Sequence, residues 1–475
     1  MLGCTTVRRE NLIAQLPPKL AAVGRLLARG AGAHEPLALF GTELPPKGPG
    51  PAREIHRFLA EGQLSGWPRA SWWAVQLLLA ARRSVWRRRE AQKWRRQRLQ
   101  VAYASATGIP VAEQRRLLRK LVARRGIPAL EAYRYGLVRR SRLECWDEYV
   151  YSCERNWNLA ASVVMGRAVG AEAPRGSADT ARATIETLSD KVATSQVLND
   201  VGIPVAPTVE LLPGTLWNEH AATIDMLLAR WSAVFLKPRY GSGGEGAINV
   251  AGTAGAWRAR CYKDGQLAQN AADSVRSQLD SVTYLAQPLL QSARAFGDLC
   301  PDSDVATLRV VTREIGGGPE VFSRVLELPV TELGGDRCYA FVPVGSDGVA
   351  FAGVHAQDCP VTLPVPEQRS IVKRVDGLSV PGAEAACEWA IRAHKAVGYL
   401  FAIAWDIALT DDGPVFLEGN AGFDMATPQT CFGGLLAGLD ADGQASGGSD
   451  RPPRSVHSNS HAGADSCVGH AVHRR

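Results

Sequence analysis

No two of the ten cysteines form a Cys-x-x-Cys pair. The chain therefore carries neither a zinc signature nor a compact disulfide framework, and reduced thiols in a cytosolic compartment are the expectation. Long apolar runs are also missing. The longest, "WWAVQLLLAA", is interrupted by Gln76 and is too short to span a bilayer. The opening residues "MLGCTTVRRENLIAQLPPKL" have no extended apolar core, so no secretory leader is expected. No Gly-Lys-Ser/Thr follows the glycine-rich stretch, which excludes a Walker A loop. No nucleic-acid-binding motif is present, so nucleic acid is not an expected partner.

What is present is enough apolar sequence for two or three folded domains. The 475 residues are 46% hydrophobic and 21% charged. Forty-seven glycines and 28 prolines point to many turns rather than one helical bundle. The net charge of +7 conceals an asymmetry: residues 1–160 carry 29 basic and 12 acidic side chains, a net +17, which leaves −10 for the remainder. The two parts could attract each other, or the basic part could meet an anionic surface. Its most basic segment, 70–100, is a helical stretch. Trp72, Val75, Leu79 and Trp86 share one face, and "RRSVWRRREAQKWRRQRLQ" follows. Three readings stay open for it: a solvated basic face, peripheral contact with an anionic membrane, or packing on the acidic half of the chain.

Residues 1–165 read as a basic, mostly helical region, 166–183 as a small polar linker, and 436–475 as a disordered Gly/Ser/Pro/His tail. Between them the texture becomes α+β. Helical text at 190–202, 218–230, 266–280 and 382–397 alternates with strands in "IPVAPTVELL", "SAVFLKP", "GAINVAG", "VTYLAQPLL", "ATLRVVTREI", "EVFSRVLELPV" and "GVAFAGV". "FAIAWDIALT" and "GPVFLEGN" pair around "DDG".

Four places can do chemistry. "FLKPRYGSGGEGAINV" delivers Lys237 at a strand end, before a run of glycines. Glycines let successive backbone N–H groups turn toward one anion, so the loop is either a phosphate lid or a plain hairpin. In "AWDIALTDDGPVFLEGN", alternation puts Glu418 and Asn420 on one face, and the hairpin brings Asp406 to it. Two carboxylates and an amide oxygen suit Mg²⁺ shared with phosphates. Arg309 interrupts an apolar strand, either as a structural ion pair or as a charge stabiliser at a reacting centre. Lys191 follows Asp190 at a helix start, where the helix dipole disfavours it.

In this order the motifs resemble the ATP-grasp superfamily. "TLRVVT" and "WDIALTDDGPVFLEGNAG" are most similar to its sugar-transfer-associated group. The resemblance covers about residues 184–432. It implies an α+β ATP-grasp fold of two subdomains, 184–285 with the glycine loop and 286–435 with the metal site, after the helical basic region. It implies that Lys191 and Lys237 contact nucleotide phosphates under a mobile loop of Gly241, Ser242, Gly243, Gly244 and Gly246. Gln287, with the Pro288–Leu290 backbone and so Leu289 and Leu290, would be the adenine hinge. Arg309 would steady the reacting phosphoryl group, and Asp406, Glu418 and Asn420 would hold Mg²⁺. The expected activity is an ATP- and Mg²⁺-dependent ligase of the carboxylate–amine type. It would activate a small-molecule or glycan-type carboxylate as an acyl phosphate, in polysaccharide or cell-envelope synthesis. Phosphotransfer to a sugar-like hydroxyl, or a nucleotide-responsive scaffold of a membrane glycan-assembly system, are the alternatives. The expected location is the cytoplasm or the inner face of the membrane.

Overall fold

The structure, a computed structural model, describes residues 52, 54–56, 99–124, 127, 129–151, 157–168, 178–241, 244–261, 270–300, 305–315, 318–333, 336–351 and 373–439. The expectations for the basic segment up to residue 98, for the tail beyond 439, and for Ser242 and Gly243 lie outside the described residues.

The described N-terminal residues are helical, in α1 (Leu99–Thr107), α2 (Val111–Leu118), α3 (Ala129–Arg134) and α4 (Trp157–Ala168). Tyr103, Tyr133, Tyr135, Tyr149 and Trp146 fill a core of their own between α1 and residue 151. Leu117, Leu121, Ile127 and Leu137 pack among these rings, so aromatic and aliphatic area share this core. Two further helices, α5 (Ala178–Ser189) and α6 (Lys191–Asp200), lead into the α+β part.

That part contains two antiparallel five-stranded sheets. The first has the order β1 (Val209–Leu211), β5 (Tyr284–Pro288), β2 (Ala233–Pro238), β3 (Ile248–Thr253), β4 (Ala256–Cys261). Helices α7 (Trp217–Trp231) and α8 (Ala271–Leu279) cover it. Ile224, Leu227, Leu228, Val275 and Leu279 bury against Val234, Leu236, Val250 and Ala286. The second sheet has the order β10 (Gly413–Asn420), β9 (Ala402–Thr410), β6 (Thr307–Ile315), β7 (Gly318–Leu333), β8 (Asp336–Pro343). Its core face packs on α9 (Ala383–Val397). Ala386, Ala390 and Ala393 recur at helical spacing there and let the helix approach Leu308, Val310, Ile403 and Ile407. A last helix, α10, runs Ala426–Phe432.

The other face of the second sheet divides along β9. Asp406 stands toward one end, and Ala404 and Ala402, at alternate positions, continue down the same face. They enter a cluster with Trp157, Ala160, Ala161 and Val164 of α4. The helix is fastened there by backbone mimicry. Asn158 accepts from Ala402 N (3.0 Å) and donates to the carbonyls of Ala402 (2.5 Å) and Ala421 (2.9 Å). Ser162 Oγ accepts from Phe401 N (2.8 Å). On α10, Gln429 does the same for Val150, accepting from its N–H (2.9 Å) and donating to its carbonyl (2.7 Å).

The expected strands are found apart from "GVAFAGV". Of that segment, Val349 and Ala350 make only isolated bridges, to Ser379 and Val344. Two strands run through text not read as strand, β4 in "AWRARC" and β8 in "DRCYAFVP". Arg258 and Arg260 interrupt β4, and Asp336 and Arg337 open β8, so neither reads as a clear alternating strand, although Ala259, Ala340 and Val342 are buried.

Candidate active site

A cavity of ≈ 390 Å³ opens between the two sheets, a size and position usual for small-molecule sites. Lys191, Lys237, Gly241, Gly244, Gln287, Leu289, Leu290, Arg309, Asp406 and Glu418 all line it. Six separate stretches of chain thus bring the sequence-derived candidates together. Two candidates stand off the wall. Asn420 reaches it through Asp406 and Glu418. Gly246 sits at the loop's foot with φ +74, where Tyr284 Oη donates to its carbonyl (2.9 Å).

The carboxylate face depends on one irregularity. In β10, Phe416 pairs with Ile407 and Glu418 with Asp406, so Leu417 is a bulged extra residue. Without it, Phe416 and Glu418 would share a face. With it, Phe416 stays in the core beside Trp405, ring centroids 5.7 Å apart, while Glu418 lines the cavity beside Asp406. Gly419 then faces the core, where a Cβ would meet the Trp405 ring at 2.6 Å and Leu188 at 2.8 Å. Asn420 Nδ2 donates to Asp406 Oδ2 and to Glu418 Oε1, each at 3.2 Å, so the three side chains converge on one point.

Cations face this group. Arg309 grips Asp406 with two bonds, Nε to Oδ1 (2.7 Å) and Nη2 to Oδ2 (3.0 Å), while its Nη1 meets Glu327 Oε1 at 3.0 Å. Burial opposes the guanidinium's charge, but the two carboxylates outweigh it and raise the pKa. Lys237 is 8% exposed. Its ammonium donates to the Leu417 carbonyl at 3.2 Å, an acceptor that the bulge presents. Burial lowers its pKa to about 8, with Glu418 pulling the other way. Lys191 donates to the Gly241 carbonyl (2.7 Å) and lies 3.8 Å from Glu418 Oε2. Burial lowers its pKa as well.

The helix start that looked unfavourable for Lys191 has a counterweight. Asp190 caps α6 by accepting from Val192 N (3.0 Å) and Ala193 N (3.4 Å). Its carboxylate also takes Arg239 Nε (2.8 Å) and Tyr240 Oη (3.1 Å) at the base of the glycine loop. Arg239 holds its pKa down at about 2. On the hinge side, Gln287 Nε2 donates to Thr208 Oγ1 (2.8 Å), and the Leu289 N–H donates to Ala233 O (3.1 Å). Leu289 therefore offers its side chain, not its N–H, to a ligand.

The donor chemistry fits Mg²⁺. Asp406 and Glu418 offer hard carboxylate oxygens, and a half-turn of the Asn420 amide brings a third oxygen to the point where its nitrogen now sits. Among the described residues no group of three or more His, Cys, Asp or Glu side chains could hold a metal ion by itself. Such a partial donor set suits an ion completed by phosphate oxygens.

Sequence reasoning missed Glu327, Thr307, Phe235, Tyr339 and Phe341, all of which line the cavity. Glu327 carries the signal that marked Arg309 and Asp406, a charge between apolar strand residues, here Leu326 and Leu328. The aromatics carry none, because an aromatic in a strand reads as core.

A family model described as sugar-transfer associated ATP-grasp matches residues 179–442. That is more than half of the chain, and the chain belongs to this family. No curated protein matches it. Among solved structures, the ATP-grasp ligase PsnB complexed with a minimal precursor is similar at 14% identity and TM-score 0.31, over 57% of this chain and 61% of that one. D-alanyl-alanine synthetase A from Vibrio cholerae is similar at 11% identity and TM-score 0.30, over 53% and 65%. N5-carboxyaminoimidazole synthase from Aspergillus clavatus is similar at 13% identity and TM-score 0.30, over 55% and 54%. The chain thus spans less than two thirds of the length of each.

Proposed function

We propose that this member of the sugar-transfer associated ATP-grasp family is an ATP- and Mg²⁺-dependent ligase. It would activate a carboxylate as an acyl phosphate for attack by an amine or hydroxyl, in the synthesis of a polysaccharide or another cell-envelope component. One observation carries the reading. Lys191, Lys237, Arg309, Asp406 and Glu418 line a single cavity between the two sheets, three cations beside two carboxylates. Phosphoryl transfer needs little beyond such positioning and charge.

The roles follow from the geometry. Phe235, Leu289 and Leu290 offer apolar surface for a base. Lys191 and Lys237 would hold the phosphate oxygens. Lys191 would exchange the Gly241 carbonyl for them, so that the loop settles over the phosphates and excludes water. Asp406, Glu418 and Asn420 would hold Mg²⁺, which neutralises phosphate charge as it develops. Arg309, locked in register by Asp406, would orient the carboxylate that attacks the γ-phosphate and steady the acyl phosphate until the nucleophile displaces phosphate. No covalent enzyme nucleophile is required.

The test is incubation with ATP·Mg²⁺ and panels of glycan, amino-acid and uronic-acid substrates. ADP, free phosphate and a condensed product mass are expected. ADP with a phosphorylated product and no free phosphate would replace the ligase by a kinase. No ADP under any condition would overturn both.

A further inference from the structure

Beyond Arg309 the cavity continues over the outer strands of the second sheet. Thr307 pairs directly with Glu327, and Glu327 with Phe341, so the three form one row across β6, β7 and β8. All three line the cavity, as does Tyr339, two residues from Phe341 on the same face. The two rings lie 6.5 Å apart, inclined at 38°. Glu327 is held from one side only. Its Oε1 meets Arg309, and its Oε2 has no partner among the described residues. Its side chain is 12% exposed. Burial pushes its pKa up to about 7, against the pull of Arg309. One guanidinium is shared between Glu327 and Asp406, so among the described residues Glu327 has no cation of its own.

We propose that Glu327, Tyr339 and Phe341 form the acceptor subsite of the ligation and bind a protonated primary amine. The inference rests on the ligase reading and narrows its nucleophile: the bound ammonium would first give one proton to the Glu327 carboxylate, and the free amine so formed would attack the acyl carbon as phosphate leaves. An ammonium supplies N–H donors to the unpartnered oxygen and a positive charge to the ring quadrupoles. A hydroxyl supplies a donor but no charge. A carboxylate or phosphate is repelled by Glu327. The position is also suitable: Arg309 joins Glu327 to Asp406, so an amine here lies beside the group that holds the activated carboxylate.

The experiment uses the full chain and three probes matched in length, n-butylammonium, n-butanol and butyrate. Binding is read by ligand-observed NMR with and without a non-hydrolysable ATP analogue and Mg²⁺. Butylammonium is expected to bind roughly tenfold tighter than butanol. Glu327→Gln should remove that preference, and Phe341→Ala should weaken butylammonium severalfold, with circular dichroism reporting that each variant folds. Equal or tighter binding of butanol, no binding of butylammonium, or full amine affinity in a folded Glu327→Gln would overturn the subsite, while butyrate reports the separate carboxylate position at Arg309. A chain that selects butylammonium but never forms ADP sinks the ligase and leaves the subsite. A chain that forms ADP but shows no amine preference does the reverse.

Discussion

Lys237 illustrates what the site asks of a single residue. A buried ammonium whose hydrogen-bond partner among the described residues is one carbonyl is unfavourable until phosphates arrive. Its folded pKa of about 8 lies below the ordinary 10.5. Between those values the unfolded chain binds the proton and the folded chain does not. Stability therefore rises with pH across that window, and the penalty is present in full below about 8. That penalty amounts to roughly 3 kcal/mol. Lys237→Met should raise the urea midpoint of the nucleotide-free protein at neutral pH while stopping turnover. Phosphates favour the charged form, so ATP binding near about pH 8.5 should take up a fraction of a proton, and much less near 7. Calorimetry in two buffers of different ionisation enthalpy measures it. Glu418→Gln and Lys237→Ala should each lower ADP formation by about a hundredfold or more with the fold retained on circular dichroism. Full activity in either would remove the site assignment. These side chains were legible in the sequence because a charge inside an apolar strand is rarely idle. Their surroundings were less so: Asp190 draws notice only as the residue before Lys191, and gives no sign that it caps the helix and holds Arg239.

Elements explain why the site is assembled as it is. The bulge at Leu417 sends Phe416 to the core and Glu418 to the cavity, and it places Gly419 under Trp405. Gly419→Ala should therefore destabilise by about 1–3 kcal/mol, since a Cβ there would meet the buried indole at 2.6 Å. Urea unfolding tests it, and a neutral result would mean that β10 can shift. Period-two reading put Glu418 and Asn420 on one face, and they are. It could not show the bulge, because the extra residue is an ordinary leucine. β4 and β8 were hidden for another reason: paired arginines break up β4 and a charged pair opens β8, so their few buried apolar residues do not read as strand. Asn158→Ala should cost about 2–3 kcal/mol, because three backbone groups at Ala402 and Ala421 lose their partner at once.

At the scale of the molecule, the family match starts at 179, but the packing that supports Asp406 starts earlier. Trp157, Ala160 and Val164 cover Ala402 and Ala404 on the very face that carries the carboxylates. A chain begun at 179 would expose that surface. It should aggregate or melt lower than one begun at 129, as differential scanning calorimetry of the two would show. No helix among the described residues is long and apolar enough to cross a membrane. The charge asymmetry of the two parts stands as the sequence gives it, since its most basic stretch lies outside the described residues. The docking of α4 has one more consequence. It is held by buried side chains and by hydrogen bonds that copy a sheet's own, none of which needs the peptide link through 169–177. Covalent continuity at that point is dispensable in principle. Residues 1–172 and 173–475, made as two separate chains in one cell, should find each other and purify as one particle.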